Sequence, residues 1–311
     1  MSIIVIGTAF VDIKGFPEGA YIPDGRNVGD VKYIHGGVAR NVVEDIANME
    51  LRPTYVGIVD DTPLGTDVLR KLKNHKVNVD HVLVRPDGMG LWLAVFDSNG
   101  DVAGSISKRP DSYPFVELLD REGDEIFRNG DSLVLEVDMH KDVVKKALDL
   151  AEKYNVKTFA LVSNMSIAAE RRDLLQRFDC FICNRQEAGM LFLDDYDSKT
   201  PEEMEKIIAD KVVRAKIPSM VVTLGAQGAV YADRDGNSGF CPPRNVQVKD
   251  TTGAGDAFCA GVASGMTYGK TLAEAVEIGT MLAASVITSS ENVCPRFQPE
   301  EFGLCFPKTD A

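Results

Sequence analysis

Nine consecutive residues, Asp250-Thr251-Thr252-Gly253-Ala254-Gly255-Asp256-Ala257-Phe258, concentrate more chemistry than any other stretch of the chain. Gly253 to Gly255 describe a tight turn, and Ala257, Phe258, Ala260, Val262 and Ala263 continue it as an apolar run entering a helix. The first amides of a helix have no internal partner and lie at the positive end of its dipole, so Gly253, Ala254 and Gly255 could cradle an anion. Asp256 stands in that anion hole. A fixed negative charge beside a bound phosphate is unfavourable unless it accepts a proton from an attacking hydroxyl, which makes Asp256 a candidate general base. The plainer alternative is a turn that merely starts a helix. No Gly-Lys-Ser/Thr follows it and a third glycine is missing, so it is neither a Walker loop nor a dinucleotide fingerprint.

Other candidates sit where strands give way to loops or helices. Residues 3–7 spell a buried strand leading to Asp12, and the carboxyl ends of strands are where open α/β sheets hold ligands. Gly36-Gly37-Val38-Ala39-Arg40-Asn41 opens a helix carried by Val42, Val43, Ile46, Ala47, Met49 and Leu51. Its paired glycines allow close approach to a ligand, and Asn41 offers a donor and an acceptor. Strand Leu133–Val137 ends at Asp138. Strand 180–183 runs into Asn184-Arg185-Gln186-Glu187, which also reads as a helix cap with a glutamate three residues on. Strand 220–223 delivers Thr223-Leu224-Gly225-Ala226-Gln227-Gly228, a hairpin by itself. Asp12 and Asp138 could equally be caps, and a cap is also the plainer alternative for Asn184.

The elements that must position these residues alternate strand and helix from 132 onward, which implies a parallel sheet covered on both faces. A different texture interrupts the start of the chain. Residues 14–35, with short alternating pieces around 82–84, 90–97 and 102–107, predict a small added β-sheet.

With 311 residues and 44% hydrophobic content the chain can bury a large core, and its net charge of −13 disfavours nucleic acid and anionic membranes as partners. No stretch has the length of a membrane span, and the first residues lack a secretion signal. Six scattered cysteines (180, 183, 241, 259, 294 and 305) fit a reducing cytoplasm. Cys180-Phe181-Ile182-Cys183 lacks a second pair to complete a metal site, and its two thiols point to opposite faces of a strand.

The Asp250–Phe258 string resembles the signature of the ribokinase-like (PfkB) family of carbohydrate and nucleoside kinases, and the other motifs follow in that family's order. The resemblance implies an α/β fold of three layers, α/β/α, with a mainly parallel central sheet and a small inserted β-sheet lid. It also implies one kinase domain over 1–311, with lid segments at about 14–35 and 90–108. The lid would exclude water and form a homodimer interface. The implied reaction moves the ATP γ-phosphate to a hydroxyl of a sugar or nucleoside, with Asp256 as base and the amides of Ala254, Gly255 and Asp256, in the turn opened by Gly253, around the phosphoryl group.

By the same resemblance Asp12, Gly36, Gly37, Asn41 and Asp138 would bind substrate, and Asn184, Thr223, Gly225, Gly228, Gly255 and Asn292 the nucleotide. Glu187 would hold Mg2+ through water, and Asp250 with Thr252 a monovalent cation, K+. Lys108 and Arg109, at the lid's exit, are either partners for an anionic group or solvated charge. The Gly-Gly-Val-x-Arg-Asn form and the acidic Asp138 are most similar to the pseudouridine-kinase branch, whereas Leu161-Val162-Ser163 stands where an Asp-Pro pair is expected. Ribose, a hexose and a nucleoside all stay open as substrates. The alternative from another class is a non-catalytic sugar- or nucleotide-binding regulator, against which the intact Asp256 argues.

Overall fold

The computed structural model describes residues 1–304; Cys305 lies outside them. In chain order, the first third holds β1 (Ile3–Ile6), β2 (Phe10–Pro17), β3 (Gly29–Gly36), α1 (Val38–Asn48), β4 (Thr54–Val56), β5 (Ile58–Val59), α2 (Pro63–Asn74), β6 (Leu83–Val84), β7 (Gly90–Phe96) and β8 (Val102–Lys108). The middle third holds α3 (Pro114–Arg128), β9 (Ser132–Glu136), α4 (Lys141–Tyr154), β10 (Lys157–Leu161), α5 (Met165–Ala169), α6 (Arg172–Leu175), β11 (Cys180–Asn184) and α7 (Arg185–Phe192). The remainder holds α8 (Pro201–Ala215), β12 (Ser219–Thr223), β13 (Ala229–Asp233), β14 (Ser238–Cys241), α9 (Ala254–Thr267) and α10 (Leu272–Ile287).

Eight strands form the main sheet in the order β14-β13-β12-β11-β10-β9-β1-β4, parallel except that β13 runs antiparallel to both its neighbours. Its strands read as unbroken apolar runs because both faces are covered. Alternate residues serve the two cores: Ile3, Val5, Ile182 and Val221 pack toward α1, α9 and α10, while Ile4, Ile6, Phe181 and Val222 pack toward α3, α4 and α8. Cys180 and Cys183 fall in opposite cores, as their spacing requires, and both are free.

From β1 the chain goes to β4 on one side and later to β9 on the other, so the direction of winding reverses at β1. Ligand crevices form outside the carboxyl ends of strands at such a point. Thr8 and Glu136, from the ends of β1 and β9, meet there: the Thr8 amide donates to Glu136 Oε2 at 2.7 Å.

The second sheet, β3-β2-β7-β8, matches the small added sheet expected from the sequence. The fold differs from the expectation in three details. Asp12 lies inside β2, which begins at Phe10, so this carboxylate rides on the second sheet. Residues 83–84 leave that sheet and pair with β5. The single helix expected near 168–177 is split into α5 and α6, where Arg171 turns to donate to the carbonyls of Val137 (2.6 Å) and Met139. Helix α3 and strand β14 complete the layers; α3 starts on Pro114 and buries Phe115, Leu118, Leu119, Ile126 and Phe127.

Candidate active site

Helix α9 starts at Gly253, whose φ of +81° is a left-handed value that favours glycine. A Cβ there would overlap the carbonyl of Asn292, whereas at Gly255 it would meet nothing within 4 Å. The turn is thus packed on one side and open on the other, so the unpaired amides at the start of α9 have room for an anion. Asp256 stands in the first turn, half-buried. Burial pushes its carboxyl up to about 6, against the hydrogen bond from Asn41 and the charge of Arg40, with Glu187 adding repulsion. A carboxylate with that value is mostly ionised at neutral pH and basic enough to take a hydroxyl proton as it is lost.

Asn41 was expected on the substrate, and the structure gives it another partner: Nδ2 donates to Asp256 Oδ2 at 2.6 Å. Its Oδ1 accepts from Arg40 and, at 3.3 Å, from Asn292. Asn292 donates also to the His35 carbonyl at 2.7 Å, is buried, and does not line the neighbouring cavity. Its amide is thus engaged beneath the α9 turn. The Gly36-Gly37 corner explains itself sterically. Gly37 has φ +91°, and a Cβ there would crowd Thr8 O at 2.8 Å; one on Gly36 would strike the Asp12 carboxylate at the same distance.

Beside the open face of the turn lies a cavity of about 580 Å³. Thr223, Gly225 and Gly228, all anticipated, line one wall, with Thr251, Ala254 and Gly255 at the end facing Asp256. The far wall comes from Thr280, Ala283, Ala284 and Ile287 of α10, and the floor from Phe258. The segment Pro243–Val248, which shows no period in sequence, supplies the rest.

Asn184 and Glu187 form a reciprocal cap: Asn184 N donates to Glu187 Oε2 at 2.7 Å, and Glu187 N to Asn184 Oδ1 at 2.9 Å. Burial raises the Glu187 pKa, its bond from Asn184 opposes this, and the Asp138 charge adds to it. Glu187 is therefore near enough to feel Asp138 and to be felt by Asp256. Asp250 Oδ1 accepts the Thr252 amide at 2.8 Å.

On the substrate side, burial raises the Asp12 pKa against the charges of Lys14 and Arg40. Asp138 is buried and held by Ser163 (backbone amide 3.0 Å, hydroxyl 2.6 Å) and by Arg109 (3.0 Å). Arg109 thus points inward to the site, while its neighbour Lys108 pairs with Asp87 on the surface. Glu136, which carried no motif, is buried, and desolvation with the nearby Asp138 charge pushes it up to about 7. Trp92 was also missed: it lies in register with Asp12 on the neighbouring strand, and Lys14, two residues along the same face, is felt by both Asp12 and Asp250. The Asp12 face of the second sheet therefore looks onto the α9 turn.

A family model for "pfkB family carbohydrate kinase" matches residues 1–294. The chain belongs to the PfkB carbohydrate kinase family. Guanosine-inosine kinase of Exiguobacterium acetylicum is 37% identical over 292 residues, covering 93% of this chain and 95% of that one. Pseudouridine kinase of Escherichia coli is 26% identical over 276 residues, 88% of this chain and 86% of the relative. Arabidopsis thaliana ribokinase, solved with ribose and ATP, superposes with a TM-score of 0.81 at 20% identity, covering 98% and 99% of the two chains. The PfkB assignment makes this a sugar- or nucleoside-kinase homologue with the ribokinase-like α/β fold, and the pseudouridine branch is the more distant of these two nucleoside-kinase relatives.

Proposed function

We propose that this PfkB protein is an ATP-dependent nucleoside kinase that phosphorylates a ribose hydroxyl of a purine nucleoside of the guanosine or inosine type. The observation that carries the kinase reading is Asp256: a half-buried carboxyl at about 6, hydrogen-bonded by Asn41, and next in the chain to Gly255, which lines a 580 Å³ cavity. The nucleoside part rests on the 37% identity to guanosine-inosine kinase and on Trp92 beside Asp12, an aromatic face on which a base can stack.

In this reading ATP occupies the cavity with its phosphates toward Thr251, Ala254 and Gly255. Asp12 and the Gly36-Gly37 corner hold the sugar, and Asp138 with Arg109 bounds the far end of its pocket. Asp256 takes the hydroxyl proton as the oxygen attacks, and the amides of Ala254, Gly255 and Asp256 face the charge on the transferring group. Among the described residues no cluster of three His, Cys, Asp or Glu could hold a metal by itself. The donors fit magnesium that arrives on the nucleotide: Glu187 presents a partly buried carboxylate near Asp256, suited to holding metal-bound water. When bound, Mg2+ neutralises charge on the β- and γ-phosphates. A monovalent-cation role for Asp250 and Thr252 has only the family resemblance behind it.

The second sheet is the proposed lid. Its outer face carries a row in register, Tyr33, Ile13, Leu93 and Ile106, of which Tyr33, Leu93 and Ile106 are 60%, 43% and 70% exposed. A second copy of the chain covering that row gives the homodimer. No helix among the described residues is long and apolar enough to cross a membrane, and the free thiols suit a reducing cytoplasm.

The test is ADP release from ATP and magnesium over guanosine, inosine, adenosine, pseudouridine, ribose and fructose, with Asp256→Asn alongside. Turnover on guanosine or inosine that the variant loses supports the proposal. Turnover on ribose or fructose alone refutes the nucleoside part, and ATP binding with no turnover on any acceptor favours the regulator.

A further inference from the structure

Arg40 is the largest charged side chain in the core, and it is fully buried. Every part of its guanidinium is committed. Nε donates to the Gly36 carbonyl at 3.2 Å and Nη1 to Glu44 Oε2 at 2.6 Å, while Nη2 reaches the His35 carbonyl and Asn41 Oδ1. Glu44 is itself fully buried and meets Lys71 of α2 at 2.9 Å, so the pair is part of a chain of charges running from the surface to the site. Burying an ion pair is a poor way to gain stability, because desolvation cancels most of the attraction. What this pair does accomplish is local. Two donors on Asn41 Oδ1, from Arg40 and Asn292, leave only Nδ2 to face Asp256, and the bond to Gly36 pins the corner that packs on Asp12.

Building on the kinase reading above, we propose that Arg40 is a positioning residue for phosphoryl transfer: it fixes the Asn41 amide against Asp256 and supplies the buried positive charge that keeps that carboxylate ready to accept a proton. Other groups that face Asp256 are all neutral or negative: Asn41 and Asp45 from α1, Glu187 from α7, and Cys259 on its own helix. Arg40 is the positive group felt by both Asp256 and Asp12. It touches neither nucleotide nor acceptor in this arrangement, so its effects reach the chemistry through Asn41 and through charge.

Two variants separate these effects from folding. The double variant Arg40→Met/Glu44→Met removes both charges together, a change that buried pairs often tolerate, and Lys71, one-third exposed, returns to solvent. Arg40→Lys keeps the charge and loses the fork. Each is assayed with guanosine and Mg-ATP across pH 5 to 9, and the Asp256 carboxyl is titrated by 13C NMR in the absence of nucleotide, assigned with Asp256→Asn.

In the double variant we expect the Asp256 midpoint, and the acid limb of kcat with it, to rise by about one pH unit, so that the rate at pH 6 falls about fivefold. KM for ATP stays within about twofold. In Arg40→Lys the midpoint stays and the plateau kcat falls several-fold. A folded double variant with an unmoved Asp256 midpoint overturns the inference; should the double variant not fold, an unchanged plateau kcat in Arg40→Lys overturns it. Wild-type silence on every acceptor would sink the kinase reading separately, and the NMR titration would still decide the role of Arg40.

Discussion

Replacing Asp256 by Asn should weaken the enzyme and strengthen the fold. Burial lifts the Asp256 carboxyl from an ordinary 3.8 to about 6 in the folded chain. The sign follows from linkage: a folded-state value above the unfolded one means the native protein holds its proton longer, so stability is lost as pH rises from about 4 to 6. Below that window both states are protonated and the cost vanishes. Above it the folded chain carries a charge whose burial costs at most about 3 kcal/mol, reduced to about 1–2 kcal/mol by partial exposure. Asparagine has no such charge, and its carbonyl can still accept the Asn41 amide. Urea unfolding at pH 7 should therefore find Asp256→Asn about 1–2 kcal/mol more stable than wild type, with the difference closing by pH 4. Turnover should meanwhile fall by about 10²- to 10⁴-fold, the usual worth of a general base. A variant whose stability advantage over wild type is no larger at pH 7 than at pH 4, or one that keeps its turnover, would refute the argument from burial to basicity.

Other perturbations probe separate parts of the site. Gly253→Ala puts a methyl against the Asn292 carbonyl at a positive φ; it should lower stability by about 1–3 kcal/mol and raise KM for ATP, read by thermal unfolding and initial rates. Trp92 is the one tryptophan of the chain, so guanosine binding should quench its fluorescence while ribose leaves it unchanged. Trp92→Leu should raise KM for the nucleoside about 5- to 150-fold, matching a lost stacking contact of about 1–3 kcal/mol. Ile106→Glu places a charge in the exposed apolar row of the second sheet. Light scattering should find a dimer for wild type and a monomer for this variant, and a wild-type monomer at micromolar concentration would dispose of the interface.

Much of this architecture was legible because its signals are local. The apolar runs of β1, β9, β11 and β12 declare a sheet covered on both faces, and Gly253 to Asp256 declare a ligand-facing helix start before any fold is known. What escaped the sequence depends on partners far apart in the chain. Nothing near Asn41 in the sequence announces that the fold brings Asp256, 215 residues later, onto its amide. The two bonds of Asn292, to His35 and Asn41, join residues 257 and 251 positions apart and leave no local trace. Glu136 looks like one more polar residue at a strand end, and only burial beside Asp138 and Thr8 gives it an unusual proton affinity. The wall at Pro243–Val248 has neither helical nor strand period, so no local pattern could announce it. Arg40 was written in the Gly-Gly-Val-x-Arg-Asn motif, but a sequence cannot say that an arginine is fully enclosed.

The two carboxylates at the heart of the site belong to different sheets: Asp256 stands on a helix packed against the large one, and Asp12 rides in a strand of the small one. Three residues, Gly7 to Ala9, join β1 to β2 and are the first seam between them. Such a division makes the molecule evolvable in parts. On the proposed reading, strands β2, β7 and β8 can be rewritten to suit a new acceptor while the α9 turn keeps its sequence, so a lineage can change what it phosphorylates without passing through a form that cannot phosphorylate at all. Relatives named for guanosine and inosine, for pseudouridine and for ribose are the diversity that such a seam permits.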